Sequence, residues 1–415
     1  MLLTAVLALT FVAQGDTLSP AARRVRDDVR YLADDKREGR GLGTRGLTQA
    51  GDYIARAFKR AGFGPGGSNR SYFQEFTVAS DAPALQHSGL TGATTRNVVA
   101  VLPGSSAALR GQVVVVGAHY DHLGLGRFNA LDPDSAGKVH NGADDNASGT
   151  AALLEIARRL RDAKPARTVV LVAFSGEELG ILGSAYYVKN ATPAPIDSVY
   201  AMVNLDMVGR LRDRKLLALG VETARELRGV LDSLNAGPRF DLRASGDGWG
   251  PSDHSAFYAA HKPVLHFFTD LHDDYHRASD DWNKINTAGL ADIAGYVADV
   301  ALALANRPGA LTFVDAPRPQ LATSGRSSAS LGTIPDMSES PGGVKLAGVR
   351  AGGPAALAGV LAGDVIVKIG DKTIANLYDM TDALNAHQPG DTVVVVVRRG
   401  AETVSLTAVL GRRGS

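Results

Sequence analysis

Five separated segments of the chain each present a carboxylate or an imidazole: His119 in GAHYDHLG, Asp144 in NGADDNASG, Glu178 in SGEELG, Asp206 in NLDMVG and His276 in DYHRASDDW. Together they form a nitrogen and oxygen donor set large enough for two cations, and such a set suits zinc, with cobalt or manganese as alternatives. His119 and Asp121 lie two apart on a strand end and share a face. The Asp121 carboxylate is therefore expected to accept the other ring N–H and fix the tautomer, while His122 points the other way. A carboxylate has two oxygens and can bridge two ions, which makes Asp144, in the turn ahead of a helix, the expected bridge. Neighbouring Glu177 and Glu178 would face opposite sides of a regular strand. Both reach one site only if the chain turns there, as Gly176 and Gly180 permit. The doublet then supplies a ligand and a base together, and Tyr275 beside His276 is placed to face an oxyanion, the parts that metal-assisted hydrolysis needs.

These residues must be positioned by strand ends. NVVAVLPG, GQVVVVGAHYDH, TVVLVAFSGEE and DSVYAMVNLDMVG are short β-branched runs, and GTAALLEIARRLRDA between two of them has helical periodicity. Strands alternating with helices predict a largely parallel or mixed sheet covered on both faces, with ligands collecting at the carboxyl ends of strands. Two further helices are expected between Ser19 and Phe63, interrupted by the glycine-rich EGRGLGTRG, and another over Ala288 to Ala305. Trp249, Phe257, Phe267 and Phe268 lie near motif residues, in position either to wall an apolar pocket or, as is commoner for aromatic residues at such positions, to join the core.

With 44 basic against 43 acidic residues the chain has a net charge of +1, which supplies no field to gather nucleic acid or an anionic membrane. The absence of cysteine excludes thiolate ligands and disulfides. Residues 1–15, MLLTAVLALTFVAQG, read as a signal peptide, with an N-terminal membrane anchor or a buried helix as the alternative. The mature protein is accordingly expected in the periplasm or outside the cell, without stable membrane insertion, since no other stretch approaches spanning length.

In order and spacing, EGRGLGTRG, GAHYDH, NGADDNASG, SGEELG, NLDMVG, GPSDHSAF and YHRASDD resemble the co-catalytic zinc aminopeptidases, a family that includes secreted bacterial leucyl aminopeptidases, with glutamate carboxypeptidase and the transferrin receptor as distant relatives. The resemblance covers residues 19–307. It implies an α/β, three-layer zinc-exopeptidase fold with a mixed, largely parallel central sheet, and two Zn2+ ions. His119 and Asp206 would hold one ion and Glu178 and His276 the other, with Asp144 bridging and Glu177 as general base. Asp121 would partner His119, Tyr275 would stabilise the oxyanion, and the Asp144–Asp145 peptide bond would be cis. Asp253 and His254 would line the site without binding metal. The implied substrates are peptides with a free N-terminus. Carboxypeptidase, dipeptidase and glutaminyl cyclase reactions use the same scaffold, and a non-catalytic binding protein would show eroded ligands.

Residues 308–326, rich in Pro, Ser, Ala and Gly, read as a linker. Beyond it, residues 327–413 resemble a small mixed α/β PDZ domain of bacterial, periplasmic type. There Ser330, Leu331, Gly332 and Thr333 occupy the place of the loop that binds a terminal carboxylate, and the next strand offers an edge to a C-terminal peptide ligand.

Overall fold

The structure, a computed structural model, describes residues 18–78, 90, 92–127, 129–237, 239–317, 329–336, 342–350 and 352–412. The expected signal peptide lies outside them.

Two amphipathic helices lead into the first domain. Ser19 caps α1 (Pro20–Leu32) by accepting the Ala22 N–H at 3.1 Å, with Pro20 preset for the first turn, and Thr44 caps α2 (Arg45–Arg60) in the same way through Leu47. There follow β1 (Gly64–Pro65), β2 (Phe73–Thr77), β3 (Thr94–Leu102), β4 (Val113–His119), α3 (Gly149–Leu160), β5 (Thr168–Phe174), α4 (Leu182–Lys189), β6 (Val199–Leu205), β7 (Lys215–Leu219), α5 (Leu227–Leu234), β8 (Asp241–Ser245), α6 (His254–Ala259), β9 (Val264–Phe268) and α7 (Thr287–Asn306).

Among the described residues the strands form one sheet in the order β1-β3-β5-β4-β6-β9-β7-β8, with β2 also on β3. The central strands β5, β4, β6 and β9 are parallel, whereas β3 and β7 run against their inner neighbours. Every residue of β4 is buried, as a strand covered on both faces requires. Its alternation sorts Val114, Val116 and Ala118 into the core beneath α1, α2, α3 and α7, and Val113 and Val115 into the core beneath α4 and α6. Gly117 leaves room for the ring of Phe174, which a Cβ there would meet at 2.4 Å.

Two expectations are corrected. Helix α7, of 20 residues, is long and apolar enough to cross a membrane by length and composition, and it is a largely buried helix of this core. The first part of the expected linker is packed rather than free: Phe313 bridges Ala224, and the Ala316 carbonyl accepts the Trp249 indole N–H at 3.0 Å. An apolar side chain at 313 finds Tyr258 and His261 and stays on them.

The second domain comprises β10 (Ala329–Ser330), β11 (Thr333–Pro335), β12 (Val344–Val349), α8 (Pro354–Leu357), β13 (Val365–Ile369), β14 (Lys372–Thr373), α9 (Leu377–Asn385), β15 (Thr392–Arg399), β16 (Glu402–Val409) and β17 (Gly411–Arg412). Its main sheet runs β11-β12-β13-β15-β16 with β14 on β13, and β10 pairs with β17. Among the described residues strand β11 is an edge, and the sheet has its own apolar core around Leu346, Ile366, Val395 and Val397.

Candidate metal centre

The ligand candidates converge from the carboxyl ends of β4, β5, β6 and β9 and from the turn before α3. His119 Nε2 lies 3.3 Å from Asp206 Oδ1 and 3.3 Å from Asp145 Oδ1. On the other side, Asp145 Oδ2 is 3.2 Å from His276 Nε2, which is 3.1 Å from Glu178 Oε2. Two donor clusters thus share one carboxylate, and that carboxylate belongs to Asp145.

Asp144, the expected bridge, faces away. Its Oδ1 accepts the Gly209 N–H at 2.6 Å and its Oδ2 pairs with His272 Nε2 at 3.0 Å. Adjacent residues in this irregular turn project in different directions. Gly142 is left-handed and Asp145 itself is extended (φ −106, ψ 94), so one member of the doublet reaches the cluster and the other braces the loop. The cis peptide bond likewise joins Asp145 to Asn146, not Asp144 to Asp145.

The donor geometry fits zinc. Ligand atoms about 2.0–2.1 Å from a tetrahedral ion stand roughly 3.3 Å apart, and the ligand pairs here are separated by 3.1 to 3.3 Å. The charge balance fits as well, because carboxylates crowd the centre. Burial raises Glu177 well above the ordinary carboxylate range, and Glu178, Asp253 and Asp206 push the same way against His119. Burial works against charge on His119, yet Asp206, Glu177 and Asp145 overcome it and hold the ring well above its usual range. Glu178 is brought down to about 2: burial and Asp145 oppose its ionisation, and His276 and His122 outweigh them.

Glu177 and Glu178 part company as the turn requires. Gly176 and Gly180 are left-handed (φ 81 and 105), and the Glu177 carbonyl accepts the N–H groups of Gly180 and Ile181. Glu178 joins the His276 cluster, whereas Glu177 Oε2 stays 3.9 Å from His119 Nε2, beside that cluster but beyond hydrogen-bond distance of it. Asp121 has a different task from the one expected. Its carboxylate accepts the N–H groups of Glu177 and Glu178 at 3.2 and 3.3 Å and stands 3.8 Å from His119 Nδ1, which instead meets the Asp121 backbone carbonyl at 3.2 Å. The expectation for His122 is also corrected, because its Nδ1 lies 2.6 Å from Glu178 Oε1. The chain leaves the pleat after β4, so the strict alternation that turned His122 away no longer holds there.

Tyr275 stacks on His276 with ring centroids 3.9 Å apart. Burial, then Asp145, Glu178, Glu177 and Asp206, raise its phenol well above the usual range, so it remains a proton donor. Asp253 is fully buried behind the site, where burial pushes its carboxyl up to about 7. Phe257 and Phe267 are core residues, Trp249 packs on Tyr258, and Phe268 packs with Met207, so they do not wall a common pocket.

Sequence reasoning missed the residues that hold this arrangement. Fully buried Arg40, from EGRGLGTRG, donates to the carbonyls of Tyr120, Leu32, Asn141 and Gly142 at 2.7–2.8 Å and so ties the end of β4 to the Asp145 turn. Burial lowers its guanidinium to about 10, which leaves it charged at neutral pH. Asp280 Oδ2 accepts the N–H groups of Asp144 and Asp145 at 2.8 and 3.1 Å. Asn129 donates to the Glu178 carbonyl at 2.7 Å, and its own carbonyl meets His276 Nδ1 at 2.9 Å, which directs Nε2 inward. Ser252 donates to Asp206 Oδ2 at 2.8 Å. The acidic run after His276 is the visible signal for Asp280 and the EGRGLGTRG segment that for Arg40; Asn129 carries none.

In the second domain Leu331 is buried and Gly332 is left-handed (φ 68). The Gly332 N–H donates to Ser330 Oγ at 3.1 Å, and the Leu331 and Gly332 carbonyls accept from Ala355 and Arg350 at 2.8 Å. Thr333 begins the edge strand β11.

Residues 97–301 match the family described as Peptidase family M28, and residues 329–410 match the PDZ domain. The chain is 34% identical over 168 residues, 40% of its length, to a probable zinc metalloprotease of Pyrenophora tritici-repentis, and 33% identical over 125 residues, 30% of its length, to aminopeptidase YwaD of Bacillus subtilis. It spans only 32% and 24% of those two relatives. Among solved structures, Porphyromonas gingivalis glutaminyl cyclase superposes with a TM-score of 0.56 at 21% identity, over 67% of this chain and 96% of that one, which is a likeness of fold. Residues 97–301 therefore belong to peptidase family M28, and residues 329–410 form a PDZ domain.

Proposed function

We propose that the protein is an exported metallo-aminopeptidase that removes N-terminal residues from peptides at a two-zinc centre. The observation that carries this reading is the parting of Glu177 and Glu178: one carboxylate joins a donor cluster while its neighbour stays beside it, free to move a proton. His119 and Asp206 would hold one ion, Glu178 and His276 the other, and Asp145 both. When bound, the ions supply Lewis-acid polarisation of the scissile carbonyl and lower the pKa of water. Glu177 takes a proton from the attacking water and delivers it to the amine that leaves as the C–N bond breaks. The Tyr275 phenol donates toward the oxyanion that forms on the carbonyl.

A cavity of about 200 Å³ beside Glu178, lined in part by Leu42, Leu123, Leu125 and Leu179, suits an apolar substrate side chain. The PDZ domain, with its edge strand, would recruit or regulate peptides that present a free C-terminus. Paired assays of a peptide with a free amine and its N-acetylated form test the reading. Cleavage of the first alone supports it. Equal cleavage of both overturns it, and cyclisation of an N-terminal glutamine without loss of a residue would assign glutaminyl cyclase chemistry instead.

A further inference from the structure

The loop that carries Tyr275 and His276 leaves β9 through Asp270, a non-glycine residue in left-handed backbone (φ 74). It is braced from several directions. Asp270 Oδ1 accepts the Leu271 N–H at 2.9 Å, and the Arg212 guanidinium donates to the carbonyls of Thr269 and Leu271 at 3.1 and 2.9 Å. Thr269 Oγ1 donates to the Met207 carbonyl at 2.6 Å, which links the start of the loop to the residue after Asp206. Displacement at Asp270 therefore bears on both Asp206 and His276.

The remaining brace crosses the domain boundary. Lys215, first residue of β7, donates from Nζ to Asp270 Oδ2 at 2.8 Å and to Asp336 Oδ1 of the PDZ domain at 3.0 Å. The two carboxylates are 5% and 9% exposed and the lysine side chain 29%, so the contact is mostly shielded from water. Asp336 directly follows β11. Its N–H donates to the Lys345 carbonyl at 2.8 Å, and Lys345 Nζ stands 3.7 Å from Asp336 Oδ2. At the other end of β11 the Arg350 N–H donates to the Gly332 carbonyl at 2.8 Å, and the Arg350 guanidinium feels the charges of Arg277 and Asp273. The end of the PDZ edge strand is thus joined through Lys215 to the loop of the metal centre.

We propose that Asp336 is a positioning residue for the peptidase: through Lys215 it sets loop 269–277, and with it Tyr275 and His276, so that the docked PDZ domain is part of the active machinery. The proposal rests on the peptidase reading above. It also gives β11 a means of acting on the site, because a peptide adding to that edge acts on the strand that ends in Asp336.

The test uses the full chain with Asp336→Asn, Lys215→Met, the two combined, and Lys345→Met as a control that removes only the intradomain partner. Three quantities are read: zinc content, hydrogen exchange of 269–277, and kcat and KM on an aminoacyl p-nitroanilide. Asp336→Asn and Lys215→Met should each speed exchange in 269–277 and lower kcat roughly 3- to 10-fold, with zinc content and KM little changed. The double variant should be no worse than Lys215→Met, since both act through one contact. Lys345→Met should match the wild type. Wild-type exchange and kcat in Asp336→Asn would overturn the proposal. If the wild type cleaves nothing, the peptidase reading fails, and exchange in 269–277 still reports whether Asp336 holds the loop.

Discussion

Asp144 and Asp145, adjacent in the chain, turn their carboxylates to opposite tasks: Asp145 spans from His119 to His276 at 3.3 and 3.2 Å, and Asp144 closes on the Gly209 N–H and His272. Metal analysis of single variants separates them. Asp145→Asn removes an anionic oxygen common to both clusters and should strip both ions. Asp144→Asn should retain them, yet lower stability by about 1–3 kcal/mol through impaired buried hydrogen bonds. The reverse pattern of metal loss would return the bridge to Asp144.

Glu177 faces the His119 cluster without entering it, so its role can be removed without removing a ligand. Glu177→Gln is expected to keep the wild-type zinc content and lose about 10²–10⁴-fold in kcat. Turnover near the wild-type level would refute its assignment as the base.

Arg40 meets four backbone carbonyls with one buried guanidinium. Each buried carbonyl left without a donor costs about 1–3 kcal/mol, so Arg40→Met should destabilise the protein by ~3 kcal/mol or more. Because those carbonyls belong to both the β4 end and the Asp145 turn, zinc affinity should fall in the same variant. Gly39→Ala should be similarly damaging, since at φ 57 its Cβ would stand 2.4 Å from the carbonyl oxygens of Gly124 and His140. Unfolding of Arg40→Met at the wild-type denaturant midpoint would show that water replaces the guanidinium.

Much of this is legible in the sequence. The run Val113 to Val116 reads as a strand, and the structure buries it on both faces; the segment after Gly149 reads as an amphipathic helix, and the structure buries most of its residues. The convergence of His119, Glu178 and Asp206 follows from placing them at the ends of parallel strands. Three things were not legible. The choice between Asp144 and Asp145 depends on backbone angles in an irregular turn, where neither strand nor helix periodicity applies. The inward turn of His122 has the same origin, because the pleat ends at His119. The roles of Arg40, Asn129 and Lys215 rest on contacts with the site loops 80 or more residues away for Arg40 and 49 or more for Asn129, and on a salt bridge between domains for Lys215, and the sequence around them does not show these partners.

His254 and His266 stack at 4.4 Å with their rings 13° from parallel, both fully buried beside the site. Burial lowers His266 to about 4 and holds His254 well below its ordinary value, and the Asn204 amide donates to His266 Nδ1 at 3.1 Å, as a neutral ring allows. In the unfolded chain both rings titrate near 6.5. The folded state therefore binds fewer protons than the unfolded one below that pH, and the stabilisation is complete above it and lost as pH falls toward about 4. For His266 alone the loss is about 3 kcal/mol. Thermal unfolding between pH 7 and 4 should show a steep fall in Tm, and His254→Gln, which removes one titrating ring from the stack, should flatten it. An acid limb of the same slope in that variant would mean that the stacked pair is not what limits stability below pH 6.5, and that the metal-site carboxylates set it instead.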